Sequence, residues 1–212
     1  MKKLVLALVT ALMTLAAWAQ TPEEILDRMS KAMEGKEAAG MAMTMEMKIP
    51  ILGTVHMRVC TLGDKTRMDV KMRGKDGVIW EDGDIQYAYN AKKNEITIEG
   101  SSPHAGNSSE AEDNLGLATG VTEGYDVKLL KETGEAWFFE CKKQKTNKDK
   151  DAPKKINVSV LKGSYFLKEM STSIRGAAFV MKDFDFNVTE RDVTFDRNQY
   201  PDARIVDKRD KR

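Results

Sequence analysis

The sequence predicts a mainly β fold of the α+β kind. It consists of one large antiparallel sheet of about ten or eleven strands, with two or three short helices set against its concave side. Three observations predict it. Apolar residues recur at period two along most of the chain. The first six alternating segments are joined by turns of only about two to five residues, which antiparallel neighbours allow and parallel ones do not. A sheet of that size curls or closes, and its helices then lie inside or across the mouth of the curl.

The chain opens with an export signal. Lys2 and Lys3 precede an apolar run over residues 4–17, and Ala17-Trp18-Ala19 supplies the small-x-small cleavage pattern. The run falls short of the about 18 to 20 residues that span a bilayer, so cleavage after Ala19 is expected rather than anchoring. No cysteine stands near that point to carry a lipid. The expected organisation is a signal peptide over residues 1–19, one domain over 20–207 and a charged tail over 208–212.

The first element after the leader is a helix. Thr21-Pro22-Glu23-Glu24 reads as an N-cap, a first-turn proline and an acidic third position. Ile25, Leu26, Met29 and Met33 recur on one face, and Gly35 ends the run. The period then changes to two. Met41, Met43, Met45, Met47 and Ile49 form the first strand, Val55, Met57 and Val59 the second, and Thr66, Met68, Val70 and Met72 the third. Val78 and Trp80 follow, and Asp82-Gly83 turns the chain into Ile85, Tyr87 and Tyr89, then Ile96 and Ile98.

Residues 100–124 break this pattern and include a candidate short helix over residues 109–118. Strands resume at Val127/Leu129, at Trp137/Phe139/Cys141, at Ile156/Val158/Val160, from Tyr165 to Met170 and from Phe179 to Val188. A mixed segment then runs from Val193 to Asp207.

Composition narrows the function. With 34 Lys+Arg against 33 Asp+Glu, the chain has no basic surplus for nucleic acid. Two cysteines are too few for a disulfide scaffold or a four-thiolate zinc module. They stand on non-neighbouring strands and are expected to be free thiols. His56 and His104 lack a second ligand two to four residues away, so no metal is expected. Neither a phosphate-binding G-x-x-x-x-G-K-[ST] loop nor a G-x-S-x-G elbow is present, and no cofactor is called for. Nothing singles out a catalytic pair of acids, so the expectation is a protein that is not an enzyme. The lysine-rich stretch 142–155 is either a solvated loop or a basic finger for anionic headgroups or an acidic partner.

What is present is methionine, 13 residues of it. Seven (Met41, Met43, Met45, Met47, Met57, Met68 and Met72) share one face of three adjacent strands, where Val, Ile and Leu are the usual choice. Methionine's three torsions and polarizable sulfur suit a surface that re-forms around varied apolar guests; the competing reading is an irregular core packed on the opening helix. The candidate ligand-binding residues are Met43, Met45, Met47, Met57, Met68 and Val70, extended by Trp80, Tyr87, Tyr89, Trp137, Phe139, Phe184 and Phe186. Ile25, Leu26, Met29 and Met33 form a candidate lid.

Two segments carry a family resemblance. Trp80-Glu-Asp-Gly-Asp-Ile-Gln-Tyr-Ala-Tyr-Asn90 resembles the strand–turn–strand of the LolA-like periplasmic outer-membrane lipoprotein carriers. Val193-Thr-Phe195 followed by Tyr200-Pro-Asp-Ala-Arg-Ile-Val-Asp-Lys-Arg209 is similar to that family's closing segment. Arg67 stands where the family carries an arginine on its third strand, without the family's neighbouring proline and aromatic residues. The resemblance implies an incomplete antiparallel β-barrel, or half-barrel, whose concave face is capped by helices. It also implies a monomeric periplasmic carrier that takes acylated lipoprotein or lipid from an inner-membrane release complex to an outer-membrane acceptor. A periplasmic lipid- or lipoprotein-sensing regulator on the same fold is the alternative.

Overall fold

A computed structural model describes residues 20–100, 122–150 and 152–209. The leader, the candidate helix over 109–118 and the last three residues of the tail lie outside the described residues.

Helix α1 spans Pro22–Met33, and its start is chemically specified. Thr21 Oγ1 accepts from the Glu24 amide at 3.2 Å while the Glu24 carboxylate accepts from the Thr21 amide at 3.0 Å, closing a capping box. Its buried face is the expected one: Ile25, Leu26, Met29 and Met33. Helix α2, Lys36–Ala39, is a single further turn.

Six strands then form the predicted meander: β1 (Met41–Ile49), β2 (Gly53–Leu62), β3 (Lys65–Lys71), β4 (Gly77–Asp82), β5 (Ile85–Asn90) and β6 (Glu95–Gly100). A second antiparallel run comprises β7 (Tyr125–Glu132), β8 (Ala136–Lys143), β9 (Lys155–Leu161), β10 (Leu167–Ile174) and β11 (Ala177–Asp185). Helix α3 (Glu190–Val193), a 3₁₀ turn (Arg197–Gln199) and β12 (Arg204–Asp207) follow.

Among the described residues, twelve strands form one open sheet in the order β12-β6-β5-β4-β3-β2-β1-β11-β10-β9-β8-β7, an incomplete barrel with few helices. The two runs join where β1 pairs antiparallel with β11. The sequence count of ten or eleven strands is one or two short because β12 pairs parallel with β6, from Arg204↔Glu95 to Asp207↔Ile98. A parallel partner so distant in sequence leaves no turn signal. Tyr165 precedes β10 rather than opening it, in a turn with φ 58°. The final long strand ends at Asp185, and a register shift opposite Ala42 and Thr44 bends it near Asp183, which has φ 56°.

The register defines two faces. Met43 lies opposite Val59, Val59 opposite Met68, and Met68 opposite Ile79. On the other face, Ala42 lies opposite Cys60, Cys60 opposite Arg67, Arg67 opposite Trp80, and Trp80 opposite Tyr87. Helix α1 covers the Met face, where the main core gathers. Helix α3 packs on β2 and β3 from the opposite face, where Val193 is buried with Ala42 and Cys60. The expectation that the helices share one face is therefore corrected: the C-terminal segment covers the back of the sheet.

Candidate ligand-binding face

The Met face divides into a covered part and a half-buried part. Under α1, Met41, Met43 and Met45 are buried together with Ile25, Leu26, Met29 and Met33. The second antiparallel run closes that core with Phe139, Ile156, Val158, Met170 and Met181. Beyond it the same face continues through Met47, Met57, Met68 and Val70, all half-buried. Met57 and Met68 pack directly against the core, as do Trp137, Phe184 and Phe186. One continuous apolar surface therefore runs from beneath the helix to the solvent-reached part of β2 and β3.

The helix is held at one side by a small polar latch. Tyr165, in the β9–β10 turn, stacks on Trp137 with ring centroids 5.5 Å apart. Gln20 Nε2 donates to the Tyr165 hydroxyl at 2.9 Å, and Arg28 Nη1 donates to it at 3.3 Å. The hydrogen bond from Gln20, with Arg28 beside it, lowers the Tyr165 pKa from its ordinary value. Lys36 lies 5.3 Å from the Phe166 ring centroid and 5.7 Å from that of Phe186, so cation–π contacts hold α2 over the same region.

Ten of the thirteen sequence-predicted site residues share the Met face. Trp80, Tyr87 and Tyr89 do not. They point from the opposite side and form an aromatic box with the C-terminal segment. Phe195 stacks on Tyr87 at 4.4 Å and meets Trp80 edge-on at 5.2 Å. Tyr200 lies 4.4 Å from Tyr89 and 5.7 Å from Trp80. The two segments that carry the family resemblance thus pack on each other, as a structural clamp rather than as part of the Met face. Arg67 belongs to this side as well. Its Nη2 donates to Asp69 Oδ1 at 2.9 Å, and its Cζ lies 5.6 Å from the Trp80 ring centroid.

Sequence reasoning did not anticipate a polar cleft of about 340 Å³ on the same opposite side. Arg58, Cys60, Arg67 and Asp69 line it from β2 and β3, and Asp185, Asn187, Val188 and Asp192 line it from the end of β11 through α3. Hydrogen bonds from the Asn187 backbone and side chain hold the Asp185 carboxyl below its ordinary range. Thr189 does the same for Asp192. Internal hydrogen bonds and opposite charges therefore satisfy these acids. Among the described residues, no three His, Cys, Asp or Glu side chains converge to hold a metal ion.

No protein-family profile and no curated protein sequence matches the chain. Among solved structures, it is similar to an uncharacterized conserved protein from Thermus thermophilus, at 17% identity and TM-score 0.45, over 89% of this chain and 100% of the other. It is also similar to LppX, a lipoprotein of Mycobacterium tuberculosis, at 11% identity and TM-score 0.47, over 76% of this chain and 94% of that one. A LolA superfamily protein from Nitrosomonas europaea matches at 10% identity and TM-score 0.31, over 84% of this chain and 99% of that one.

Proposed function

We propose that this protein is a periplasmic carrier that holds the acyl chains of lipoproteins, or of another lipid, against its Met face. In this reading α1 is the lid, and the cargo passes from an inner-membrane complex to an outer-membrane acceptor. The observation that supports it is the continuity of that face, from buried Met43 and Met45 beneath α1 to half-buried Met47, Met57, Met68 and Val70 beyond it. A guest entering at the half-buried end meets Met47, Met57 and Met68, whose flexible side chains re-form around it as it displaces the helix. Burial at about 0.8 kcal/mol per CH₂ gives roughly 13 kcal/mol gross for a 16-carbon chain. That is enough to offset the loss of helix contacts, with no chemistry asked of the protein.

Met68→Asp tests the reading better than Met45→Asp, because Met45 is part of the closed core and its replacement risks unfolding. A carboxylate at Met68 costs several kcal/mol beside an acyl chain, so affinity for a fluorescent fatty acid should fall at least about tenfold. Glu46→Gln, on the opposite face where Glu46 pairs with Lys182 at 2.7 Å, should leave affinity unchanged. A Met68→Asp protein with wild-type circular dichroism and wild-type probe affinity would end the proposal.

A further inference from the structure

One end of the sheet has an unusual chemistry. The β1–β2 turn presents Ile51 and Leu52, which are 96% and 56% exposed. Ile51 has φ 71°, a left-handed conformation that a β-branched residue rarely adopts. Leu52 N donates to Pro50 O at 2.9 Å, which tightens the turn and holds both side chains outward. Ile51 is almost wholly in solvent and Leu52 more than half so, which leaves most of their apolar surface without a partner in the fold.

The antiparallel register places the β3–β4 turn, the β5–β6 turn and the described lysine-rich residues 144–150 and 152–154 between β8 and β9 at this same end. The exposed cations Lys48, Lys71, Arg73, Lys75, Lys92 and Lys93 surround the tip on the β1–β6 side, with Asp76 the acid in those turns. The Arg73 guanidinium lies directly against Gly53, so a cation stands immediately behind the apolar pair. The opposite end of the same strands is acidic, with Asp64 and Asp84 in its turns and Asp82 at the end of β4, against Lys65 at the start of β3. The sheet is polarised along its strands.

We propose that this basic rim docks on an anionic lipid bilayer, with Ile51 and Leu52 entering the interface and the surrounding cations meeting lipid phosphates. The cations are spread from β6 to β8, ten adjacent strands in the sheet order. At about 4.8 Å per strand that is roughly 40 Å along the sheet. An extended anionic plane meets such a rim all at once, whereas an acidic peptide meets only part of it. The apolar element is a protruding tip and not a groove or patch, which is the shape that inserts among headgroups. The proposal does not depend on the carrier reading.

The test is flotation of the exported protein, purified as the cell processes it, with phosphatidylcholine vesicles and with vesicles containing about a third phosphatidylglycerol. Wild type should float with the anionic vesicles at low salt, at least about tenfold more than with phosphatidylcholine, and should be released by high salt. Ile51→Asp/Leu52→Asp and Lys71→Glu/Arg73→Glu/Lys75→Glu should each lose flotation by about tenfold, whereas Asp64→Asn/Asp84→Asn at the acidic end should keep it. Absence of flotation, equal flotation with both vesicles, or a hairpin variant that floats like wild type would overturn the proposal. Met68→Asp should float normally, so loss of acyl binding and loss of docking are read separately.

Discussion

Cys60 and Cys141 show what burial does to a single side chain. Cys141 sits on the Met face opposite Val127 and Ile156, and burial pushes its thiol up to about 12. Cys60 sits on the other face with Ala42 and Val193, and burial raises its pKa too. Both are free thiols in separate cores and are held in the unreactive protonated form at neutral pH. A chromogenic disulfide reagent should therefore titrate neither in the native protein within minutes, and both in denaturant without reductant. Fast labelling in the native state would show that one of the two cores opens. The faces of these residues were only partly legible beforehand. Parity along β1 put Met41 to Met47 together, and the two-residue turn after Asp82 put Trp80 opposite Tyr87. What parity could not supply was the relation of Trp80 to Met68. Between them lies the 72–76 turn, where one residue more or less exchanges the two faces.

Among the elements, α1 was legible almost whole, because its cap, its apolar stripe and its glycine stop are all local signals. Strand β12 was not. It has only four residues, Ile205 on it is 46% exposed, and its pairing with β6 depends on the fold bringing residue 204 beside residue 95. The latch on α1 was equally invisible, since Gln20 and Arg28 meet Tyr165 across more than 130 positions of sequence. Tyr165→Phe keeps the ring stacked on Trp137 but removes the hydroxyl that both groups donate to. If α1 is the lid, this substitution should speed fatty-acid probe association several-fold while stability drops by only about 1 kcal/mol. Stopped-flow fluorescence measures the first and urea unfolding the second. An unchanged association rate would mean that the helix does not gate the face.

At the scale of the whole molecule, charge and packing act on stability through different routes. Ion pairs join β11 to β1, β3 to α3 and the β9–β10 turn to β7, and one lies within β8. Hydrogen bonds from Lys182 to Glu46, from Lys65 to Glu190, from Lys162 to Glu132 and from Lys142 to Glu140 hold all four carboxyls below their ordinary value of 4.5. A carboxyl depressed in the folded state contributes stability that is present above its unfolded pKa and is lost as pH falls through the folded one. The thermal midpoint should accordingly be flat near neutrality and fall below about pH 4.5. Scanning calorimetry across that range checks it, and a midpoint unchanged down to about pH 3 would contradict it.

The two faces of the sheet should also separate by mutation, since they carry separate cores. Trp80 is 1% exposed and packs among Tyr87, Phe195 and Tyr200, which hold the C-terminal segment on the back of the sheet. Removing its ring in Trp80→Ala leaves a cavity that the flanking aromatic rings can only partly fill, at a cost of about 3 to 5 kcal/mol. Phe195→Ala takes away the facing ring and should cost somewhat less, because Phe195 itself is half-buried. The two losses should not add, because both residues belong to one contact cluster. Neither should change fatty-acid affinity in protein that remains folded, since the Met face lies across the sheet from both. Urea unfolding of the single and double variants, paired with probe titration, decides this. A folded Trp80→Ala protein that had lost the probe would return Trp80, Tyr87 and Tyr89 to the ligand-binding surface and remove the separation of faces on which the carrier reading stands.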